Sequence, residues 1–500
     1  MMGNLCRISQ IVLGSGWVLA LLAFASARSD KSMEQDDSFV RVSSRNPRYF
    51  ELTNGEPFVP IGLNLIHPRQ DYREFDPDSR AASAGEEDRE GAAGLPEMER
   101  WMERLCRNRG NFMRIWLSAP FWDVEREKSG HYDERRARRL GRLLALARER
   151  KIRVKLTVEH FRTIEGPTRQ AWAYRPLHHL SQGGPASSIA DFFDGQASRD
   201  QFVGKLSWYA DRIGEDPSVF GWELWNEINA VAGGGHLAWT EIMLRHLHIL
   251  FPRNLAMQSL GSFDSAEVRQ LYRQMSLLAG NDVAQVHRYL DPGAELEICR
   301  GPVDVLAADA VSEILAFQPG RPVLLAESGA VEPNHSGPSK LYALDRQGTL
   351  LHDILFAPFF AGAAGPGHCW HWDVYVDANN LWYHFGRFAE AIRDVNPVAE
   401  DFTPMRIGHN RLRVYALRGQ TTTLLWCRDS RADWRSELLE GKPPDTLRGV
   451  RLDISPLQWK KPPHKLSAYD PWADRWTEAH WTGQELELPP FSRSLVIRLN

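Results

Sequence analysis

Two glutamates lie at the ends of apolar segments that have the character of β-strands. Glu227 ends the segment 219–227, and Glu327 lies one residue before the end of the segment 322–328. Cleavage of a glycosidic bond needs two carboxyl groups, one to protonate the leaving oxygen and one to meet the oxocarbenium-like carbon. A single strand-end glutamate is as often half of a salt bridge, whereas two in equivalent positions predict a catalytic pair.

A third glutamate precedes the first by four residues. Two-residue periodicity places Glu223 on the same strand face as Glu227 but deeper in the fold, where a carboxylate needs a partner, and Arg114 is a candidate. We therefore interpret Glu223 as structural. The same periodicity sends Asn226 and Glu227 to opposite faces, so a bulge is predicted at this strand end to bring both to one site.

The elements that must position these groups form a repeating pattern between residues 59 and 373. Short apolar segments alternate with segments of helical spacing, such as the stripe at residues 140, 143, 144 and 147. Strand–helix units in this order predict an α/β fold whose parallel strands close as a (β/α)8 TIM barrel. A doubly wound sheet is the alternative, but the Gly-rich phosphate turn typical of its first strand is missing from the sequence. The predicted strands are 59–65, 112–118, 153–159, 219–227, 255–260, 283–289, 322–328 and 367–373.

Helices are predicted between these strands, and two long inserts interrupt the pattern. The inserts at 68–95 and 161–199 follow the first and third strands, so they are expected over the C-terminal face of the barrel as walls of a cleft. The helical segments are 96–108, 140–147, 202–213, 238–250, 304–317, 345–360 and 379–395, with a weaker one at 265–278.

The chain outside the barrel has two further parts. Arg7, an apolar run at 11–24 and the small residues 25–27 have the layout of a secretory signal peptide over residues 1–27. Its removal predicts a secreted or periplasmic protein without stable membrane insertion, with an uncleaved anchor as the alternative. Residues 40–397 are assigned to the catalytic barrel with an N-terminal hairpin at its bottom, and residues 398–500 to a C-terminal all-β sandwich.

The sandwich is predicted from short strands separated by Pro, Gly and Asp clusters. A sandwich fixed to the barrel wall is favoured over a carbohydrate-binding module, and the sequence leaves both open. The predicted strands are 413–418, 421–428, 451–454, 465–469, 475–478, 485–488 and 494–499.

Charge and cysteine content narrow the classes of partner. A net charge of -4 argues against nucleic acid or an acidic membrane surface as the main partner. No phosphate loop or dinucleotide fingerprint is present, so no cofactor is predicted, and His368 and His371 beside Cys369 lack the second cluster that a metal site needs. We interpret the widely spaced cysteines as mostly buried thiols and leave one disulfide open. They are Cys106, Cys299, Cys369 and Cys427.

Trp225-Asn226-Glu227 on the fourth strand, together with Glu327 on the seventh, resembles clan A glycoside hydrolases. The likeness is greatest to family 5, with its β-mannanases and cellulases, and it covers roughly residues 46–397. It implies a retaining double displacement in which Glu227 is the general acid/base and Glu327 the nucleophile, with the carboxyls about 5–5.5 Å apart. Glu227 would then need a raised pKa to keep its proton near neutrality.

The resemblance also implies three polar contacts around the pair. Arg114 in Met113-Arg114-Ile115-Trp116 matches an arginine that steadies the nucleophile and keeps it ionised. His160 matches a histidine that contacts the sugar. Asn226 matches an asparagine that hydrogen-bonds the 2-hydroxyl, a contact that strengthens in the transition state. For each of them, packing in the core is the structural alternative.

The last matches are aromatic. His287 and Tyr289 resemble a His-x-Tyr pair on the sixth strand, whose spacing puts both rings on one face with the hydroxyl near the nucleophile. Trp370 and Trp372 on the eighth strand are candidates for the floor beneath the bound sugar, and Trp370 is favoured. Core packing is again the alternative.

The expected partner is a β-linked poly- or oligosaccharide of the β-mannan or β-glucan type. The β-mannan class is slightly favoured, because residues 49–52 and 60–64 resemble mannanase-like members of the family, although a fold likeness alone does not set the sugar. A non-catalytic carbohydrate-binding barrel is an alternative that the two retained glutamates oppose. A transglycosylase would use the same residues.

Overall fold

The computed structural model describes residues 37–68, 94–126, 128–160, 177–231, 234–458, 464–483 and 485–500. The predicted signal peptide, most of the first insert and residues 161–176 of the second lie outside these residues. Within the described part, no helix combines the length and apolar character that crossing a membrane requires.

A small antiparallel sheet precedes the parallel strands. Its strands, β1 (Val40–Val42), β2 (Phe50–Leu52) and β3 (Pro57–Phe58), pair in chain order. Apolar side chains from all three form a cluster with Phe112, Phe220 and Leu255, which lie at the starts of parallel strands. The sheet therefore covers the N-terminal ends of those strands, which is where the hairpin was expected.

Parallel strands form the centre of the molecule, and most of their residues are buried because helices cover their outer side. They are β4 (Gly62–Asn64), β5 (Phe112–Trp116), β6 (Arg153–Glu159), β7 (Val219–Trp225), β8 (Leu255–Met257), β9 (Ala284–His287) and β10 (Val323–Glu327). Strands β4 to β8 form one five-stranded sheet in chain order, and β9 pairs with β10 in a second sheet. The predicted order and parallel direction are confirmed.

The predicted eighth strand is wrong as a strand. Residues 367–371 form one parallel bridge, between Ser328 and Cys369, and a π-helix begins at Trp372. The segment still lies between β10 and β4, because the His368 N–H donates to Leu325 O and the Asn64 N–H to Cys369 O, both at 3.0 Å. The (β/α)8 prediction is therefore confirmed only in part: the strand–helix units are present, but the described strands form two sheets and no continuous closed ladder.

Helices connect the parallel strands, and each of the predicted helical segments overlaps one. The buried stripe of the second helix includes the predicted residues 140, 143, 144 and 147, and the Asp133 side chain caps its N-terminus. The α-helices of the described residues are α1 (Leu95–Arg107), α2 (Glu134–Glu149), α3 (Ile189–Asp194), α4 (Gln196–Ile213), α5 (His236–Leu250), α6 (Arg269–Leu277), α7 (Val303–Ala316), α8 (Thr349–Phe360), α9 (Tyr383–Ala391) and α10 (Pro397–Glu400).

Antiparallel strands follow α10, as the C-terminal pattern predicts. Each predicted strand overlaps an observed one, and the strands Thr403–Ile407, Thr446–Leu447, His480–Trp481 and Phe491–Ser492 are additions. The observed strands are β11 (Thr403–Ile407), β12 (Leu412–Arg418), β13 (Thr423–Asp429), β14 (Thr446–Leu447), β15 (Arg451–Asp453), β16 (Leu466–Asp470), β17 (Arg475–Glu478), β18 (His480–Trp481), β19 (Glu485–Glu487), β20 (Phe491–Ser492) and β21 (Ser494–Leu499).

Six of these strands form one sheet, in the order β11-β12-β13-β21-β16-β17, and the sheets β15-β19-β18 and β14-β20 are smaller. Alternate residues of the large sheet face two cores: Val414 and Leu425 pack with the small sheets, whereas Tyr415 and Trp426 join the core of the helices. In the described residues both faces of the large sheet are thus covered, which favours the structural interpretation over a binding module. The boundary between residues 397 and 398 stays a prediction.

Buried ion pairs attach this sheet to the helices. Arg413 binds both carboxylate oxygens of Asp304 on α7 at 2.6 and 2.8 Å, and Arg428 binds those of Asp353 on α8 at 2.8 and 3.1 Å. Burial raises the pKa of Asp353 to about 7, against the opposing charge of Arg428.

The cysteines of the described residues are all free thiols, and three of them are buried, which excludes the disulfide left open above.

Candidate active site

The end of β7 brings two neighbouring side chains to one place. The strand stops at Trp225, and Glu227 adopts a left-handed conformation (φ 53°, ψ 54°) before a short 3-10 helix. This left-handed turn, rather than the predicted bulge, redirects the chain so that Asn226 and Glu227 both face the site. A register irregularity does occur on β10, between Leu325 and Glu327. A left-handed non-glycine residue costs conformational energy and is concentrated at functional sites.

The two predicted catalytic carboxylates meet around one histidine. His287 Nδ1 lies 2.8 Å from Glu227 Oε1 and 3.7 Å from Glu327 Oε2. A carboxylate oxygen of each glutamate and a ring nitrogen of His287 all lie within 4.8 Å of one another. The side chains of Glu227 and Glu327 are 14% and 5% exposed, so a substrate would reach Glu227 more easily.

Both oxygens of Glu327 accept hydrogen bonds from buried donors. Arg114 Nη1 donates to Oε2 at 2.6 Å, and the Tyr289 hydroxyl donates to Oε1 at 2.6 Å. Burial, with the charges of Glu327 and Glu227, raises the pKa of Tyr289 far above its usual range, so the hydroxyl remains a donor. Charge-assisted bonds of this kind favour the ionised form of a carboxyl group.

The environment of Glu227 acts in the opposite direction. Burial raises its pKa, the hydrogen bond with His287 opposes that rise, and the charge of Glu327 adds to it. The net direction is upward, so Glu227 tends to hold a proton. A carboxyl group that holds its proton, next to a carboxylate that accepts from an arginine, is suited to the role of general acid.

Glu223 is fully buried below the pair and has Arg114 as its partner, as predicted. Its Oε2 accepts from Arg114 Nη2 at 2.5 Å and from the Thr157 hydroxyl at 2.5 Å, and its Oε1 accepts from Lys155 at 3.3 Å and Gln285 at 3.0 Å. Burial alone would raise the pKa of Glu223, but the charges of Arg114 and Lys155 hold it well below the usual range.

Lys155 and Gln285 were missed by the sequence analysis. A signal for Lys155 was present: in Arg153–Glu159 the polar residues 153, 155, 157 and 159 alternate with apolar ones, so one face of β6 is polar although the whole strand is buried. That face points to the interior between the strands. Gln285, on the short strand β9, gave no comparable signal.

Two buried nitrogens near the carboxylates have no hydrogen-bond partner among the described residues. They are Asn226 Nδ2 and His287 Nε2. The Asn226 oxygen accepts from Arg114 Nη2 at 2.5 Å, which fixes the amide orientation and leaves its NH2 group facing elsewhere. Because an unpaired buried donor is costly, these atoms favour a polar ligand or water at the site.

An aromatic row adjoins the carboxylates. The ring of His160 stacks on Trp116 with centroids 4.7 Å apart, and Trp116 lies 4.8 Å from the ring of Trp370. His160 is buried and its Nδ1 is 2.6 Å from the Ser118 hydroxyl, whereas Trp370 is half-buried. Trp370 is thus the more exposed of these two rings.

The predicted substrate contact of Trp372 is wrong. Its side chain has no exposed surface, and its ring packs edge-on against His67, Trp101 and Trp370 at centroid distances of 5.7, 6.4 and 5.8 Å. Both tryptophans were candidates for the floor beneath the sugar and Trp370 was favoured; a π-helix begins at Trp372, which lies in the core.

His335, on the loop after β10, is a further residue that sequence reasoning missed. Its ring stands edge-on to Tyr289 with centroids 5.0 Å apart, and its Nδ1 lies 2.9 Å from Asp291 Oδ2. Its positive charge, when present, lowers the pKa of Glu227. His335 is recognised only from the contact between the two loops, since the sequence around an exposed loop histidine has no periodicity that would indicate a role.

The donor set of the site suits hydrogen bonding better than a cation. Glu227, His287 and Glu327 are close enough to hold a metal ion. However, both Glu327 oxygens already accept from Arg114 and Tyr289, so a positive charge is in place beside the carboxylate that a metal would use.

Comparisons with known proteins agree with this fold. No protein-family model matches the sequence, and no curated protein matches it at a significant level. Two solved structures from Bacteroides vulgatus match most of the chain. A glycoside hydrolase family 5 protein is 13% identical, with a TM-score of 0.52 over 92% of this chain and 93% of its own. A putative glycoside hydrolase is 12% identical, with a TM-score of 0.53 over 93% and 83%.

A third match, the endo-β-1,4-mannanase from Thermotoga petrophila, is 13% identical over 89% of this chain and 98% of its own, with a TM-score of 0.47. That score is too low to support an inference about this chain. The two higher scores show that the fold of this chain is similar to the folds of these two structures.

Proposed function

We propose that the protein is a glycoside hydrolase of the family 5 type that cleaves β-linked poly- or oligosaccharides with retention of configuration. The observation that carries the proposal is the meeting of Glu227 and Glu327, from strands β7 and β10, within 4.8 Å around His287. A short separation of the carboxyl groups supports retention, because an inverting enzyme needs room for a water molecule between the sugar and its base.

The two carboxyl groups are suited to different steps. Glu227, whose pKa burial raises, donates its proton to the glycosidic oxygen as the bond to the leaving sugar breaks. Glu327, which accepts hydrogen bonds from Arg114 and Tyr289, attacks the anomeric carbon and forms a glycosyl ester. Glu227 then takes a proton from water, whose oxygen displaces Glu327 from the sugar.

The surrounding side chains are assigned to substrate binding. The free Asn226 NH2 group is suited to a sugar hydroxyl next to the scissile bond. The half-buried Trp370 offers an aromatic face for the C–H face of a pyranose, and His160 lies beyond Trp116 in the same row. His287 orients Glu227 through its Nδ1 hydrogen bond.

The finer parts of the proposal rest on sequence. The resemblance of residues 49–52 and 60–64 to mannanase-like enzymes favours a β-mannan substrate over a β-glucan. The layout of residues 1–27 favours export, so the protein is proposed to act as a secreted or periplasmic enzyme.

A substrate screen with three variants tests the function. Wild-type protein is assayed on aryl β-mannosides and β-glucosides and on β-mannan and β-glucan, in parallel with Glu227→Ala and Glu327→Ala. The matched control is Glu332→Ala, which removes a glutamate five residues beyond Glu327 that caps the backbone of Lys340. We expect hydrolysis by the wild type and the control, and at least a thousandfold loss in Glu327→Ala. Glu227→Ala should lose about 10²–10⁴-fold on substrates with poor leaving groups and less on aryl glycosides.

The covalent step is tested separately with a 2-fluoro-glycoside whose leaving group is activated. Mass spectrometry of the trapped protein should find the sugar on Glu327. Trapping on another residue would contradict the assignment of the nucleophile, and oligosaccharide binding without turnover by the wild type would contradict the proposed hydrolysis.

A further inference from the structure

Four charged side chains form one connected, buried network beneath the site. Lys155 donates to Glu223 Oε1, Glu223 Oε2 accepts from Arg114, and Arg114 donates in turn to Glu327 Oε2. None of the four side chains is more than 5% exposed. Gln285 closes the network, since its amide oxygen accepts from Lys155 at 2.5 Å while its NH2 group donates to Glu223 at 3.0 Å.

The charges in this network balance. Arg114 and Lys155 contribute two positive charges, and Glu223 and Glu327 two negative charges. An unbalanced charge in a buried environment has a high free energy, and a buried group usually gains or loses a proton to remove it. Removing one of the four charges should therefore change the protonation of another.

We propose that Lys155 is a positioning residue for the nucleophile: by sharing the Glu223 carboxylate with Arg114, it keeps the charge of Arg114 available to Glu327. This inference rests on the proposed function and extends it to a residue that does not touch the substrate. Without the ammonium group, one arginine would face two carboxylates. Glu223 accepts from Arg114, Thr157 and Gln285, whereas Glu327 has two donors, so Glu327 is the carboxylate that takes up a proton.

Lys155 is charged over the pH range in which a nucleophilic carboxylate titrates. Burial, with repulsion from Arg114, lowers the pKa of Lys155 to about 7, and Glu223 and Glu327 oppose that shift. His368, between β10 and β4, also senses the charge of Lys155; burial lowers the pKa of His368 to about 3, so His368 is neutral in this pH range. A positive charge on His287 would lower the pKa of Glu223.

Charge-balance variants test the proposal through the acid limb of kcat/KM. Lys155→Met leaves an excess negative charge, so we expect the limb to move to higher pH by about one unit, which is about tenfold lower activity on the limb. Glu223→Gln leaves an excess positive charge and should move the limb to lower pH. The double variant K155M/E223Q is balanced and should return the limb close to its wild-type position.

The control is Lys205→Met. Lys205 is an equally buried lysine that pairs with Glu125 and Glu159 instead, so its loss should lower stability without displacing the acid limb. A purely structural role of Lys155 predicts lower stability in both lysine variants, but no shift of the acid limb in opposite directions in K155M and Glu223→Gln. An unchanged limb in K155M, or a double variant no better than K155M, would overturn the proposal.

A second readout needs no turnover and so separates this proposal from the proposed function. Infrared spectroscopy detects the C=O stretch of a protonated carboxyl group in the unliganded protein. We expect K155M at pH 6 to show one such band more than the wild type, and K155M/E327Q to lose it. Retention of that band in K155M/E327Q, or its absence from K155M, would refute the proposal even if no glycoside is cleaved.

Discussion

The hydrogen bond from the Tyr289 hydroxyl to Glu327 can be removed by a single substitution. Tyr289→Phe removes one hydrogen bond of 2.6 Å to Glu327 Oε1 and leaves the ring, which is buried against His335, in place. A hydrogen bond to a buried charged group contributes about 1.5–3 kcal/mol. Because about 1.4 kcal/mol corresponds to one pH unit, the loss should displace a titration by about one to two units.

The direction follows from the state that each group must have. The reaction needs Glu327 ionised, and the variant makes its proton harder to remove. As the solution is acidified, the variant therefore loses activity at a higher pH than the wild type. The acid limb of kcat/KM is displaced to higher pH. At one pH on that limb, kcat/KM should fall by about ten- to a hundredfold, whereas activity well above the limb changes less. The assay is kcat/KM for an aryl β-glycoside measured from pH 4 to 9.

Tyr342→Phe is the matched control. Its hydroxyl is also buried, but it lies 2.8 Å from His371 Nδ1 and accepts from the Ala330 N–H. This variant should keep the acid limb of the wild type. If Tyr289→Phe leaves the limb in place, or Tyr342→Phe moves it as far, then the Tyr289 hydrogen bond does not control the ionisation of Glu327.

The remaining predictions concern the acid group, the aromatic residues and the attachment of the C-terminal sheet. Since activity needs protonated Glu227, kcat/KM should fall as pH rises through its elevated pKa, and Glu227→Gln should abolish this alkaline limb and slow poor leaving groups by about 10²–10⁴-fold, with aryl glycosides of good leaving groups affected less. Trp370→Ala should raise KM about tenfold with little change in unfolding temperature, whereas Trp372→Ala should lower the free energy of unfolding by about 3–5 kcal/mol; the reverse pattern in kinetics and calorimetry would be evidence that the two roles are exchanged. Arg428→Met leaves Asp353 buried without its partner and should cost about 3–5 kcal/mol in urea unfolding at pH 8. Because the charge of Arg428 lowers the pKa of Asp353, its loss raises that pKa further, and part of the lost stability should be recovered as the pH is lowered and Asp353 takes up a proton.

The local pattern of apolar residues was enough to predict most of the strands and helices. Apolar runs and helical stripes are properties of neighbouring residues, so the order of strands and helices and the C-terminal strands could be read from the chain. The eighth parallel strand could not. Its apolar character is that of a strand, but the backbone there forms a single bridge and then a π-helix, and that choice depends on packing against residues distant in sequence.

The candidate site divides in the same way. Glu227, Glu327 and Glu223 were identified by their position on strands, and the contact of Glu223 with Arg114 was predicted from burial and charge. Lys155 was visible in the alternation of β6 but had no assigned partner. His335 became evident only when two loops were seen to meet over Tyr289.

The sequence alone determined which strands carry the carboxyl groups, because residue type and period are local. Only the tertiary structure decided how those groups differ. The left-handed turn at Glu227, the hydrogen bonds that Glu327 accepts and the burial that raises the pKa of Glu227 all depend on distances between segments far apart in the chain. Electrostatic energy depends on such distances and on exclusion of water, neither of which is written in the order of the residues.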